Sequence, residues 1–124
     1  MRMLEIHIEV ADLEGAFKLY SKLLPHSEVT WWDERDAVAF VLKDGSAFGL
    51  WQKGKKGIHG GRGAEHLHFA FQIEPEEYEH YKEKIESVGL TPLEHVWPEG
   101  HKSVYFFDHD GNQGEFMTAD WIKQ

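Results

Sequence analysis

Glu115 lies on a short apolar run, QGEFM, just past an Asp-Gly turn within Ser103–Phe116, SVYFFDHDGNQGEF. A carboxylate among apolar strand residues is costly unless something charged faces it. His68, within HLHFAF, and the pair Glu5 and His7, within LEIHIEV, sit on similar runs far away in sequence. Three strands, each offering an oxygen or nitrogen ligand, suggest one shared site for a divalent metal ion. Glu5, His68 and Glu115 together would suit Mn²⁺, Ni²⁺, Co²⁺, Fe²⁺ or Zn²⁺. His7 in place of Glu5 would make a two-His-one-carboxylate triad, which favours Fe²⁺ and oxygen chemistry. Strand period is two, so Glu5 and His7 project the same way and alternation does not choose between them. In either set the metal would act as a Lewis acid on a carbonyl or hydroxyl oxygen.

The elements that must position these residues recur in two halves. Met3–Val10 alternates, with Leu4, Ile6, Ile8 and Val10 on one face and Glu5 and His7 on the other. Asp12 is a helix N-cap, and Ala16, Phe17, Leu19, Tyr20, Leu23 and Leu24 follow at helical spacing until Pro25. Strands are expected at Glu28–Trp32, Ala37–Leu42 and Ala47–Trp51, the last two joined by Asp44-Gly45. The second half repeats the order. His66–Ile73 is a strand, and Pro75 opens a helix with the stripe Tyr78, Tyr81, Ile85 and Val88, capped by Gly89. The runs Leu93–Trp97, Ser103–Phe107 and Gln113–Met117 follow, with Asp110-Gly111 between the last two. Each half is therefore β-α-β-β-β. A shift of 61 positions superimposes His7 on His68, Phe17 on Tyr78 and Tyr20 on Tyr81.

The segment between the halves, QKGKKGIHGGRG, is Gly-rich and holds Lys53, Lys55, Lys56 and Arg62. It reads as a solvated linker or as a basic lid over an anionic substrate. With 124 residues the chain suffices for one domain, and a half alone would be marginal. The halves should therefore bury their sheets against each other or against a second chain. No cysteine is present, which excludes disulfides, thiolate metal sites and a Cys nucleophile. A net charge of -9 would repel phosphate backbones, so nucleic-acid binding is not expected. The N-terminus alternates rather than resembling a signal peptide, and no apolar run approaches the roughly 20 residues of a membrane span. A cytoplasmic protein is expected.

On these residues the chain resembles the vicinal oxygen chelate superfamily, which includes glyoxalase I, extradiol dioxygenases, fosfomycin-resistance enzymes, methylmalonyl-CoA epimerase and bleomycin-resistance proteins. In the first half the resemblance rests on HIEVADLEGAFKLY. In the second it rests on HFAFQI and on YFFDHDGNQGEF, similar to the family's Tyr-Phe-x-Asp-Pro-Asp-Gly-Asn-x-x-Glu ending, with His109 replacing Pro. It implies a single α+β domain of the glyoxalase-like fold, with two βαβββ modules, about 1–52 and 64–124, forming curved mixed sheets around a concave site. Residues 53–63 would link the modules. It also implies a divalent metal that binds two adjacent substrate oxygens and stabilises an enediolate or alkoxide.

Carried across, His68 matches the family's second-half histidine and Glu115 its terminal glutamate. Spacing from Val10 matches Glu5 to the first-half ligand, whereas the 61-residue repeat points to His7. Glu5, His68 and Glu115 are the expected metal ligands, with Glu115 also catalytic. The fourth family position is lost. Aligning the two Asp-Gly turns places Gly49 opposite Glu115, and Trp51 nearby would fill the vacated space.

The resemblance implies a metal-dependent lyase or isomerase of the glyoxalase type, a homodimer acting on a small oxygenated substrate. A fosfomycin-type site is disfavoured, because HVWPEGHK offers only Lys102 and only Lys123 follows Glu115 as a base. Glutathione carboxylates would need Arg or Lys, and the arginines are only Arg2, Arg35 and Arg62. The rival reading is a metal-free binding protein of the bleomycin-resistance type, with Trp31, Trp32, Trp51 and Trp97 as an aromatic wall. A dioxygenase is the third reading.

Overall fold

Alternation and the Asp-Gly turns set the strands. The computed structural model describes residues 2–55 and 67–118. Its strands are β1 (Glu5–Val10), β2 (Glu28–Trp32), β3 (Ala37–Val41), β4 (Ala47–Gln52), β5 (His68–Gln72), β6 (Leu93–Val96), β7 (Lys102–Phe107) and β8 (Gln113–Met117). Helix α1 (Leu13–Leu23) follows β1, and α2 (Tyr78–Ser87) follows β5 behind a short 3₁₀ turn at Pro75–Glu77. The β-α-β-β-β order thus occurs twice. Most of segment 53–63, His59, His66 and Lys123 lie outside the described residues.

The chain divides into two compact units between Gly63 and Ala64. The first holds a four-stranded sheet in the order β1-β4-β3-β2, and the second a sheet in the order β5-β8-β7-β6. In each sheet the first and last strands of the unit pair in parallel, and the remaining pairs are antiparallel.

In the first unit Asp12 caps α1, its Oδ1 accepting from the Gly15 N–H at 3.2 Å. Gln52 clamps the same end: its Oε1 accepts from the Leu13 N–H at 3.1 Å and its Nε2 donates to the Ala11 carbonyl at 2.6 Å. The helix buries Leu13, Leu19, Tyr20 and Leu23, with Tyr20 set 4.9 Å from Phe48 between ring centroids. A 3₁₀ turn at Asp33–Arg35 joins β2 to β3, with Glu34 and Arg35 at φ 53° and 77°. Asp33 and Asp36 are the turn formers the sequence offers there, without a Gly or Pro.

In the second unit α2 buries Tyr78, Tyr81 and Ile85, and Tyr81 packs 4.5 Å from Phe116. Gly89, at φ 83°, ends it as expected. The Gly89 N–H donates to the Glu86 carbonyl and the Leu90 N–H to the Ile85 carbonyl, the paired bonds of a Schellman cap. Between β7 and β8, Asp108 organises the turn. Its Oδ1 accepts from the Asp110 and Asn112 N–H groups at 2.9 and 2.8 Å, and its Oδ2 from the Asn112 side chain at 3.0 Å. Much of the DHDGN motif is therefore spent on a tight turn that aims β8.

Candidate metal centre

Glu115 is only 1% exposed, on the central strand β8. Cross-strand pairing sets it beside Ala70 on β5 and Tyr105 on β7. Its Oε2 accepts from the Ser103 hydroxyl at 2.5 Å, and that hydroxyl oxygen accepts from the Trp97 indole N–H at 2.8 Å. Burial first, then the Glu115 charge, pushes the pKa of the Tyr105 phenol up. The other carboxylate oxygen, Oε1, faces His68 Nε2 at 3.7 Å. A buried carboxylate costs several kcal/mol unless its lone pairs find donors, and the Ser103 hydroxyl supplies one at Oε2. His95 and His101 flank Trp97, one edge-on at 4.5 Å and one stacked at 5.8 Å.

In the first unit Glu5 Oε2 lies 3.1 Å from His7 Nε2. The Trp51 indole N–H donates to His7 Nδ1 at 2.9 Å. The His7 ring lies against Gly49, its cross-strand partner, and is what a Cβ at position 49 would strike first. It is therefore His7, braced by Trp51, that takes the space beside Gly49, rather than Trp51 itself. Trp32 and Trp51 flank the His7 ring at 6.3 and 6.2 Å. Trp31 turns to Phe17, with the Arg35 guanidinium 4.7 Å over its ring. The four tryptophans thus do not share one environment.

Ladder register relates the two units. Ala47 and Gln113 each stand two residues past their turn glycine, and their partners are Glu5 and His68. By the same measure Gly49 corresponds to Glu115, and their partners are His7 and Ala70. The first strands therefore match with an offset of 63 residues, which sets Glu5, not His7, in the place of His68. Among the described residues no three His, Asp or Glu side chains are gathered where they could hold a metal ion. The pairs are Glu5 with His7 and His68 with Glu115.

No known protein-family profile matches the chain, and no curated protein sequence does. Solved structures match over nearly its whole length. A lactoylglutathione lyase from Agrobacterium tumefaciens is 21% identical, covering 94% of this chain and 92% of its own, with a TM-score of 0.74. A mutant of the fosfomycin resistance protein FosX from Listeria monocytogenes, complexed with Mn(II) and a dihydroxypropylphosphonic acid, is 21% identical, with coverages of 95% and 90% and a TM-score of 0.75. A glyoxalase/bleomycin resistance protein from Catenulispora acidiphila is 18% identical, with coverages of 93% and 96% and a TM-score of 0.67. The chain has the glyoxalase-like fold that these structures share. Proteins of this fold include a lactoylglutathione lyase and a fosfomycin resistance protein complexed with Mn(II), so the fold alone fixes no activity. Among the described residues no helix is long and apolar enough to cross a membrane.

Proposed function

We propose that this glyoxalase-fold chain is a divalent-metal-dependent lyase or isomerase of the glyoxalase type, acting on a small oxygenated substrate as a cytoplasmic homodimer. Its metal ligands in this reading are Glu5, His68 and Glu115. The observation that carries it is Glu115: a carboxylate buried on a central strand, tied down at one oxygen and turned at the other toward an imidazole. A purely structural carboxylate in that position would be replaceable at lower cost by an apolar residue. Ladder register supports Glu5 as the third ligand, since it occupies the place in its sheet that His68 occupies in the other. Both nitrogens of His7 are engaged, by Trp51 and Glu5, which weighs against a two-His-one-carboxylate triad and against a dioxygenase.

Two carboxylates and one imidazole fit Mn²⁺, Ni²⁺, Co²⁺, Fe²⁺ or Zn²⁺. When bound, such an ion polarises a substrate carbonyl or hydroxyl oxygen. In this reading Glu115 takes and returns a proton, with Ser103 orienting it. The exposed ring of Trp32 and the Trp51 ring beside His7 favour a substrate with an apolar or aromatic part. Metal analysis of protein prepared without a histidine tag tests the reading. Stoichiometric metal, lost in Glu115→Ala, supports it; equal metal content in both proteins contradicts it.

A metal-free binding protein of the bleomycin-resistance type is the second reading. It is favoured by the closure of the Gly49 position by the His7 ring and by the aromatic rings around it. Quenching of Trp fluorescence by a cationic aromatic drug, in protein free of metal, would support it.

A further inference from the structure

The two carboxylates of the proposed site are each held by a chain of hydrogen bonds that begins on a tryptophan. In the first unit the chain runs from Trp51 Nε1 to His7 Nδ1 at 2.9 Å, and from His7 Nε2 to Glu5 Oε2 at 3.1 Å. In the second it runs from Trp97 Nε1 to Ser103 Oγ at 2.8 Å, and from Ser103 Oγ to Glu115 Oε2 at 2.5 Å. The direction of both chains is fixed by chemistry. An indole N–H only donates. His7 Nδ1 must therefore accept, which leaves the ring proton on Nε2, pointing at Glu5. By the same logic the Ser103 oxygen accepts from Trp97, and its own proton goes to Glu115. Each chain starts on a group that cannot accept and ends on a group that, ionised, cannot donate.

The two devices use different middle residues, His7 and Ser103, on strands that do not correspond to one another. The first also depends on Gly49, because any side chain there would displace the His7 ring. Each chain engages one oxygen of its carboxylate. In Glu115 the remaining oxygen is the one that faces His68.

We propose that His7 with Trp51, and Ser103 with Trp97, are positioning residues that fix one oxygen of Glu5 and of Glu115 and present the other to the divalent cation. This rests on the metal-dependent reading above. Under it His7 is not itself a ligand, although it is the histidine that the 61-residue repeat pairs with His68. Groups that orient metal-ligating carboxylates typically account for about 10–100-fold in metal affinity.

The test has a metal-free arm and a metal-bound arm. Ring-nitrogen NMR of the metal-free protein should show His7 as the Nε2–H tautomer, and Trp51→Phe should release that preference. A Nδ1–H tautomer in the unsubstituted protein overturns the first chain. Mn²⁺ titration, followed by the EPR signal of the free ion, should show roughly 10–100-fold weaker binding in Ser103→Ala, in Trp97→Phe and in His7→Phe. Ser103→Thr, which keeps the hydroxyl, should recover most of the loss. Trp97→Phe acts from the less buried end of its chain, so it remains informative if Ser103→Ala fails to fold. Folded variants that bind Mn²⁺ as the unsubstituted protein does would overturn the positioning role and leave the metal reading standing. An unsubstituted protein that binds no divalent ion would overturn both.

Discussion

Gly49 and Gly114 stand on the central strands β4 and β8, and each has a ring lying where a Cβ would go: His7 over Gly49, Phe106 over Gly114. The consequences of filling those spaces differ. Phe106 is fully buried and has nowhere to move, whereas His7 is partly exposed and can swing outward. Gly114→Ala should therefore destabilise by the roughly 1–3 kcal/mol typical of overpacking. Gly49→Ala should cost less in stability while breaking the contact of His7 with Trp51. Thermal melts of both variants check the order, and a larger loss in Gly49→Ala contradicts it. At the same scale Glu94 carries a pH signature. The Tyr78 hydroxyl, donating at 2.9 Å, and then Lys82, at 3.2 Å, hold its carboxyl below its ordinary 4.5. The folded protein thus keeps Glu94 charged at a pH where the unfolded chain protonates it. That contribution is fully present above the ordinary value and is lost as the pH falls through the lowered one. Asp44, lowered first by the Ser46 hydroxyl, acts with the same sign. Tyr78→Phe should flatten the fall in stability below pH 4.5, and an unchanged acid limb would contradict the assignment.

At the scale of elements the β7–β8 turn is the most exacting piece. Asp108 is buried and accepts from two backbone N–H groups and one side-chain amide. Asp108→Ala should cost about 1–3 kcal/mol, the penalty for leaving such donors without acceptors. A denaturant midpoint equal to that of the unsubstituted protein would contradict this. The turn was legible in the sequence, as were the strands next to it. Gln113–Met117 and Glu28–Trp32 were read with the bounds they have, because alternation and turn residues bracket them. The register between strands was not legible. Offsets of 61 and 63 differ by two, the strand period, so both leave every side chain on the same face and a hydrophobic pattern cannot separate them. The ladder, Glu5 with Ala47 and His68 with Gln113, does so, and it agrees with the spacing from Val10 to Glu5 that the family resemblance implied. The Ser103–Glu115 contact was missed for a different reason: it joins residues 12 apart across β7 and β8. A signal existed, since a buried carboxylate needs donors and Ser103 shares a face of β7 with Tyr105, the cross-strand partner of Glu115.

At the scale of the whole molecule, two β-α-β-β-β units have kept one architecture while diverging in the chemistry of matching positions. Glutamate stands at the first-strand position in one unit and histidine in the other. Glycine stands at the last-strand position in one and glutamate in the other. In the proposed function Glu5, His68 and Glu115 bind one divalent ion together. Anomalous diffraction from crystals of the full chain grown with Mn²⁺ tests it most directly. The prediction is a single strong peak within coordination distance of all three side chains, absent in Glu115→Gln. A peak that excludes Glu115, or none near any of the three, would contradict it.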